Sequence, residues 1–329
     1  MTRVLVTGAG GPAGVAVIRS LLARQGVEVF AADMDGWASG LYLVPAARRR
    51  LVEPGRSESF VAGIIRLVRD DSIDVVFSTV DVELPPLARR REDLAPAVLA
   101  APGIQTLEVT LDKFRLAERC APLLRVPDTA LLNDDGIARD WDFPVIVKPR
   151  SGAGSRGVRA VHDRAALEAI GVDESLIIQE MLPGEEFSVD VISGADGEVI
   201  ATVPRTRTRV DSGVSIAGRT VHSEPLESTA AAVARAIALT GVANVQLRYD
   251  RHGVPALLEV NPRFPGAMPL TIAAGVDMPS LALDLALGLP LPAALDFREI
   301  ANVRYLEDVF VDPSEVLVSE HAAHGADEG

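Results

Sequence analysis

The sequence predicts an N-terminal parallel α/β domain that is followed by a larger α+β region. In the first hundred residues, short apolar runs such as 4–6 and 75–78 alternate with helical patterns. Strands that alternate with helices at this spacing form parallel sheets with helices on their faces. In the second half of the chain the apolar runs lengthen, and hairpin-like turns at 195–197 and 250–253 separate some of them, which is typical of antiparallel sheets.

Each predicted element has a local signal. In the first domain a glycine-rich turn at 8–14 follows the first strand, and the patterns then predict a helix at 15–23, a strand at 27–31, a helix at 57–69 and the strand at 75–78. Asp112 predicts a helix start, because its side chain can accept hydrogen bonds from the free N–H groups of a first turn. Beyond it the patterns predict an alanine-rich helix at 228–239 and strands at 143–149, 159–161, 176–180, 187–192, 199–207, 242–249 and 255–260.

Composition excludes several classes of protein. The chain has 329 residues with 32 Lys+Arg and 46 Asp+Glu, and a formal charge of −14 opposes general binding to nucleic acid or to anionic membranes. A single cysteine, Cys120, excludes a disulfide framework within one chain. The N-terminus lacks a signal-peptide pattern, and no apolar run approaches the ~20 residues of a membrane span. We therefore expect a cytoplasmic protein without a nucleic-acid or membrane partner.

Lysine usage singles out two positions. Of the 32 basic residues, only Lys113 and Lys148 are lysines. A lysine presents a compact ammonium and an arginine a planar fork, so a chain that otherwise uses arginine would keep lysine where the ammonium itself is needed. The alternative is that the two lysines are there by chance.

The first glycine-rich turn allows three interpretations. Gly8, Gly10 and Gly14 lie between a strand and a helix, and Asp33 follows at about the distance of a ribose-binding acid, as in dinucleotide-binding folds. A short-chain type of oxidoreductase also needs a tyrosine with a lysine four residues later, and the chain has no such pair. The other interpretations are a tight turn with no ligand and a site for a substrate that is not a nucleotide.

The middle of the chain carries the groups that phosphates need. Lys148 closes an apolar strand, and the following loop, 151–157, contains Gly152, Gly154 and Gly157. Glycine N–H groups can approach a phosphate closely, and Lys113 supplies a second cation from the preceding element. Taken alone, such a loop is more often a flexible linker.

A later strand carries oxygen ligands. Glu259 and Asn261 are two residues apart and therefore project from the same face, with Arg263 just beyond them. Gln246 on the adjoining antiparallel strand can join them. One carboxylate and two amide oxygens form part of a Mg²⁺ shell that phosphate oxygens and water complete.

Taken together in this order, these features resemble the ATP-grasp superfamily, and within it the carbamoyl-phosphate-synthase-like branch. The resemblance extends over nearly the whole chain, and its most specific element is the segment 259–263, Glu-Val-Asn-Pro-Arg. It implies that ATP contacts Lys113, Lys148, Gly152, Gly154, Ser155, Gly157, Gln179, Glu180, Met181, Leu182 and Glu186, with 179–182 as the adenine hinge and Glu186 at the ribose. It also implies that one or two Mg²⁺ ions, or Mn²⁺, bind to Gln246, Glu259 and Asn261.

The resemblance further implies a domain organisation. A Rossmann-like domain at 1–108 is expected to precede a two-lobed ATP-grasp domain. The small lobe with its glycine loop is expected at 109–185, and the large lobe with the antiparallel sheet and the metal site at 186–318. The small, polar segment 319–329 is expected to be a disordered tail.

The activity implied by the resemblance is ATP-dependent ligation of a small carboxylate to an amine or a thiol, through an acyl phosphate and with release of ADP and phosphate. Arg263, Arg207 and Arg209 are the candidate catalytic residues. Arg207 and Arg209 are predicted to share a strand face and to clamp the substrate carboxylate, unless that face is simply solvated. The alternatives are an ATP-grasp phosphotransferase or a carbamoyl-phosphate-like synthase, although the chain has one unit where full synthases have two, and more remotely an NAD(P)-dependent oxidoreductase. The sequence is compatible with a homodimer but does not require one.

Overall fold

The computed structural model describes residues 1–152, 154, 156–211 and 213–318, and the predicted tail at 319–329 lies outside them. The first domain is built on a parallel sheet whose strands lie in the order β3-β2-β1-β4-β5. Its elements are β1 (Thr2–Thr7), α1 (Pro12–Leu22), β2 (Val27–Asp33), β3 (Arg49–Leu51), α2 (Phe60–Asp70), β4 (Val75–Ser78), α3 (Leu84–Arg89) and β5 (Val98–Leu99). The predicted parallel α/β class is confirmed.

A small antiparallel sheet follows two connecting helices. The elements are α4 (Ile104–Thr110), α5 (Lys113–Cys120), β6 (Thr129–Leu132), α6 (Asp134–Ala138), β7 (Val145–Pro149), β8 (Arg159–Val161), α7 (Arg164–Glu168) and β9 (Asp173–Glu180), with the strands in the order β6-β9-β7-β8. Val145, Val147 and Ile178 bury one face of this sheet against Trp141 and Leu167.

The last part of the chain forms two more antiparallel sheets. Its elements are β10 (Glu186–Ser193), β11 (Val199–Thr206), β12 (Arg209–Asp211), β13 (Val214–Arg219), α8 (Glu224–Ala236), β14 (Gly241–Tyr249), β15 (Pro255–Asn261), α9 (Met268–Ala273), α10 (Met278–Ala286) and β16 (Ala301–Val303). The large sheet has the strand order β11-β10-β14-β15, and the other sheet has the order β12-β13-β16. The predicted α+β class is therefore also confirmed.

Because its residues alternate, the large sheet has one apolar face and a second face, called here its polar face, on which Ser188, Asp190 and Gln246 lie beside apolar residues of the core shared with the first domain. Val189, Val191, Val245 and other residues of β10 and β14 pack against α8, and Leu116 and Cys120 of α5 belong to the same apolar cluster. The residues between them along the same strands project to the other face. That polar face is where the candidate site lies.

The first domain packs against the large lobe. One continuous apolar cluster contains Val6 and Val17 of the first domain together with Val203, Phe264 and Met268 of the last region. The rings of Phe77 and Phe264 lie 5.7 Å apart between centroids. Two parts that are distant in sequence therefore share one core.

Several predicted elements begin or end at other residues in the structure, and two of them show the physical reason. The alanine-rich helix begins at Glu224 rather than at 228, because Pro225 occupies its first turn, where a missing N–H costs nothing. It ends at Ala236 rather than at 239, and Ala238 has a positive φ of 50°. The strand predicted at 199–207 ends at Thr206, whose hydroxyl accepts the N–H of Arg219 at 3.1 Å.

Among the described residues, no helix combines the length and the apolar character that crossing a membrane would need.

Candidate active site

The two lysines lie on adjacent elements whose ends are fixed to each other. Asp112 caps α5 by accepting the N–H groups of Phe114 (3.0 Å) and Arg115 (3.2 Å), as predicted for this residue. The guanidinium of Arg150, which directly follows β7, donates to the same carboxylate at 2.6 Å. The N–H of Lys113 also donates to the carbonyl of Arg150 at 2.9 Å. These contacts hold the start of α5 against the end of β7.

The lysine ammonium groups face acidic side chains of the large sheet. Lys113 Nζ donates to the carbonyl of Gly152 at 2.8 Å and lies 3.5 Å from Glu259 Oε2. Lys148 is buried, and burial lowers the pKa of its ammonium to about 8. The negative charges of Glu259 and Glu186 oppose this shift, while the charge of Lys113 adds to it. Two cations and a carboxylate thus converge between the lobes.

The register of the large sheet brings the predicted metal ligands together. Glu259 is the partner of Gln246, and Asn261 is the partner of Asn244 on the same strand. Asn261 Nδ2 donates to Glu259 Oε1 at 3.3 Å. Among the described residues, no group of three or more His, Cys, Asp or Glu side chains could hold a metal. The donor set of one carboxylate and two amides fits a hard cation that takes its remaining ligands from phosphate and water.

Glu186 and Arg207 meet at the edge of the same polar face. Arg207 Nε lies 2.9 Å from Glu186 Oε1, and its Nη1 donates to Ser188 Oγ at 3.2 Å. Glu186 is also 3.8 Å from Arg248 Nη1, so its carboxylate lies between two guanidinium groups.

The predicted pairing of Arg207 with Arg209 is wrong. Arg207 lies just beyond the end of β11, whereas Arg209 is exposed on β12. No single strand therefore carries both residues, so strand alternation does not place them on one face. The reason is the end of β11 at Thr206, after which the chain enters the β12–β13 hairpin. Arg207 lies at the candidate site, where it contacts Glu186 and Ser188. Arg209 does not share these contacts.

The predicted adenine hinge is the connection between the two lobes. Gln179 is buried and donates to Thr129 Oγ1 at 3.0 Å. The Glu180 carboxylate accepts two hydrogen bonds from Arg125 Nη2, each at 2.7 Å, and Arg125 Nε donates to Asp250 Oδ2 at 3.2 Å, so Arg125 links the two lobes. The backbone N–H of Glu180 donates to the carbonyl of Asp128 at 2.8 Å. Met181 is exposed and Leu182 is buried.

A mostly apolar group of residues adjoins this connection. It lies beside the first lysine and consists of Lys113, Leu116, Ala117, Val126, Gln179, Leu257 and Leu258. The group brings residues of α5, the small sheet and β15 together beside the two cations. The space among these residues is too small for a water molecule, so they pack together here rather than forming an open pocket.

The glycine loop extends from the small lobe toward the large lobe. Gly152, Gly154 and Gly157 have positive φ angles of 113°, 74° and 73°, which other residues rarely adopt. A Cβ on Gly213, in the β12–β13 turn, would lie 2.9 Å from the Cα of Gly154. The loop backbone therefore approaches the large lobe closely at this point. Ser155 lies outside the described residues.

The first glycine-rich turn is explained by packing. Gly8 has a φ of 68°, and a Cβ there would lie 2.4 Å from Val80 Cγ2. A Cβ on Gly14 would lie 2.2 Å from the carbonyl oxygen of Gly8. Asp33 accepts the N–H of Gly10 at 2.8 Å, so this carboxylate closes the turn from inside. These contacts account for the glycines and for Asp33 without a dinucleotide.

Arg263 is held by a residue that the sequence did not link to it. Its Nε and Nη2 donate to Asp81 Oδ1 and Oδ2 at 2.9 and 3.0 Å. Asp81 follows β4 of the first domain and is 182 positions away in sequence. Nothing in the spacing of the sequence indicates that Asp81 is the partner of Arg263.

Comparisons with known proteins agree with this geometry. Residues 173–309 match the family described as ATP-grasp in the biosynthetic pathway with Ter operon. Over 166 residues, 46% of this chain and 16% of the relative, the chain is 31% identical to the carbamoyl phosphate synthase large chain of Clostridium acetobutylicum. Over 171 residues, 45% of this chain and 48% of the relative, it is 29% identical to the D-alanine–D-alanine ligase of Pediococcus pentosaceus. The crystal structure of the biotin carboxylase–β-γ-ATP complex from Campylobacter jejuni superimposes with a TM-score of 0.72 at 18% identity, covering 88% of this chain and 72% of that one.

The fold and the cleft define a two-lobed α/β protein with lysines on one wall and acid and amide side chains on the other. The match of residues 173–309 to an ATP-grasp family model and the similarity to the carbamoyl phosphate synthase large chain confirm the predicted resemblance to ATP-grasp proteins. The matched regions span less than half the length of the two curated relatives.

Proposed function

We propose that this protein is an ADP-forming ligase that activates a small carboxylate with ATP and joins it to an amine or a thiol. The observation that carries the proposal is the convergence of Lys113, Lys148 and Glu259 between the two lobes, where Lys113 Nζ and Glu259 Oε2 are 3.5 Å apart. A triphosphate and a hard cation together need this combination of cations and oxygen ligands. The names of the matched relatives, a D-alanine–D-alanine ligase and a carbamoyl phosphate synthase among them, support the same class of reaction.

The nucleotide would lie along the cleft. Its adenine would contact backbone groups of 179–182, and its ribose would be near Glu186. Lys148 and Lys113 would neutralise the phosphates, while the N–H groups of Gly152, Gly154 and Gly157 would contact them from the loop. Ser155, which lies outside the described residues, would contact ATP as well, as the resemblance implies.

The metal would be held by residues of the large sheet. Gln246, Glu259 and Asn261 would bind one or two Mg²⁺ ions, and Mn²⁺ suits the same oxygen donors. When bound, the ion supplies positive charge to the phosphate oxygens of the nucleotide. Lys113, which already lies beside Glu259, would orient that carboxylate.

The reaction would proceed in two displacements. A carboxylate oxygen of the substrate forms a bond to the γ-phosphorus as the bond to the bridging oxygen of ADP breaks, which gives an acyl phosphate and ADP. The lone pair of the amine or thiol then forms a bond to the acyl carbon, and the phosphate leaves with the bonding electrons. Arg263 would stabilise negative charge on the transferring group and on the tetrahedral oxygen, and Arg207 would bind the substrate carboxylate. We place the protein in the cytoplasm, acting on small molecules, with a homodimer as the form to test.

The proposal is tested by the dependence of ADP release on both co-substrates. We expect a panel of amino acids and other small carboxylates, combined with amines or thiols and Mg²⁺, to give ADP and phosphate at rates that rise only when both partners are present. A phosphorylated product that accumulates with the carboxylate alone would instead identify a phosphotransferase. Binding of NAD(P)H, seen as a fluorescence change, without any ADP formation would contradict the proposal.

The pKa of Lys148 predicts how nucleotide affinity changes with pH. Because this pKa is about 8, the ammonium is mostly charged at pH 7 and mostly neutral at pH 9. If the charged form binds phosphate, the affinity for MgADP should fall about tenfold between pH 7 and pH 9. Isothermal titration at both pH values measures this change. In the Lys148→Arg variant, whose guanidinium stays charged, the decrease should largely disappear, and an equal decrease in both proteins would contradict the assignment.

A further inference from the structure

The loop that carries Asp81 is rigidly anchored in the first domain. Thr79 Oγ1 donates to the carbonyl of Thr7 at 2.9 Å. Glu83 is buried, and its Oε2 accepts hydrogen bonds from Ser78 Oγ at 2.8 Å and from Thr7 Oγ1. Burial raises the pKa of the Glu83 carboxyl, although these hydroxyl groups oppose the shift. Asp81 therefore projects from a fixed turn between two buried anchors.

Asp81 uses this position to hold an arginine of the large lobe. Two N–H groups of Arg263 donate to its two carboxylate oxygens, and Arg263 Nη1 donates to the carbonyl of Phe264 at 3.2 Å. A guanidinium has five N–H groups, so these three bonds leave two for another acceptor. The side chains of Arg263 and Asp81 are only 19% and 23% exposed, which favours a defined geometry over a solvated surface pair.

The ion pair with Asp81 determines how Arg263 can bind a further negatively charged group. A carboxylate that is bonded to both Nε and Nη2 fixes the plane of the guanidinium and reduces its net charge. Arg263 then offers two oriented N–H groups to an incoming oxygen rather than a mobile cation. Preorganised donors of this kind stabilise developing negative charge more effectively than donors that must reorient during the reaction.

We propose that Asp81 is a positioning residue, which orients Arg263 toward the transferring phosphoryl group and the acyl oxygen. This inference rests on the proposed ligase function. It means that the first domain completes the active site, since a residue after β4 of the parallel sheet fixes a side chain that follows β15 of the large lobe. Packing of the first domain against the large lobe is then a requirement for catalysis as well as for stability.

A double-mutant cycle tests the inference. We expect Asp81→Ala to lower kcat for ADP formation by up to about a hundredfold, with the affinity for MgADP unchanged, because misplacing a catalytic group by about 1 Å can have this effect. Arg263→Ala should lower kcat at least as much, and the double variant should be no slower than Arg263→Ala, since Asp81 acts only through that arginine. Asp81→Asn, which keeps an acceptor oxygen and the side-chain shape, should fall between wild type and Asp81→Ala and also serves if the alanine variant does not fold. Asp70→Asn, an exposed residue of the same domain, is the matched control for charge.

The possible outcomes separate the two proposals. Additive losses of kcat in the double variant would overturn the positioning role, because Asp81 would then act independently of Arg263. A lower KM for the carboxylate with undiminished kcat in Asp81→Asn would also overturn it, since Asp81 would then compete with the substrate for Arg263. A wild-type protein that binds MgADP but forms no ADP from ATP with any acceptor, water included, would refute the proposed function and this inference with it. Turnover by the wild type together with additive losses would refute the inference alone.

Discussion

Replacing Glu259 by glutamine is expected to lower kcat for ADP formation by at least about a hundredfold and to raise the Mg²⁺ concentration that gives half-maximal activity. The substitution keeps the size of the side chain and one acceptor oxygen but removes its charge. A neutral ligand binds a hard dication much more weakly, and charge neutralisation is the main contribution of the protein to phosphoryl transfer. The loss of one preorganised electrostatic group typically costs 10²–10³ in kcat.

The same substitution also changes the environment of the lysines. Glu259 lies 3.5 Å from Lys113 Nζ, and its charge favours the ionised form of Lys148. Without it, the pKa of Lys148 should fall further below 8, and the decrease of MgADP affinity with increasing pH should begin at a lower pH. This second readout distinguishes a role in the site from a general loss of folded protein.

A matched control keeps the Glu259 prediction specific. Glu198 is exposed in the hairpin between β10 and β11, at the other end of the same sheet, and Glu198→Gln removes the same charge. We expect this variant to retain wild-type kcat and Mg²⁺ dependence. Thermal unfolding of both variants checks the fold. Near-normal turnover of Glu259→Gln at millimolar Mg²⁺ would contradict the assignment of the metal site.

Local sequence signals predicted the fold class correctly, and several residues that they singled out lie close together in the structure. Lys148 lies at the end of an apolar strand. Glu259 and Asn261 are two residues apart on another strand, so strand periodicity was enough to predict that they project from the same face. The rarity of lysine singled out Lys113 and Lys148, and the structure places both close to Glu259. Such predictions are reliable because strand periodicity depends only on neighbouring residues along one element and not on tertiary contacts.

The contacts that the sequence did not predict correctly depend on how separate elements pack together. Arg207 and Arg209 were predicted to share a strand because they are two residues apart, but β11 ends before both of them at Thr206, whose hydroxyl accepts the N–H of Arg219, and Arg209 begins β12. The pair of Asp81 and Arg263 was not predicted, since it joins two domains across 182 positions. Contacts of this kind depend on tertiary packing, and one sequence carries no local trace of them.

Arg205 is the clearest case of a residue whose burial could not be predicted from the sequence. It belongs to an arginine-rich segment, 205–209, that suggests a solvated or ligand-binding face, yet its side chain is only 2% exposed. Arg205 Nε and Nη2 donate to the two carboxylate oxygens of Asp190 at 3.1 and 3.0 Å. The same carboxylate accepts Asn244 Nδ2 at 2.7 Å and Thr271 Oγ1 at 2.5 Å. The ion pair is thus fully buried and all the acceptor positions face donors.

This network supports the strand that carries the candidate metal ligands. Asn244 on β14 is the register partner of Asn261 on β15, and Thr271 lies on α9. The carboxylate of Asp190 on β10 therefore links β11, β14 and α9 on the polar face of the large sheet. Its removal should affect both stability and the geometry of Asn261.

Asp190→Ala is expected to lower the free energy of unfolding by about 3–5 kcal/mol, because it leaves the buried guanidinium of Arg205 without its counter-ion and two further donors without an acceptor. Urea denaturation monitored by circular dichroism measures this change, with the exposed Asp70→Asn as the control for charge. In the double variant Asp190→Leu, Arg205→Met, apolar side chains replace both charges, so the loss of stability should be smaller than the sum of the two single substitutions. A loss below about 1 kcal/mol in Asp190→Ala would mean that water or a rearranged side chain compensates Arg205, and that the pair is less buried than its 2% and 0% side-chain exposures indicate.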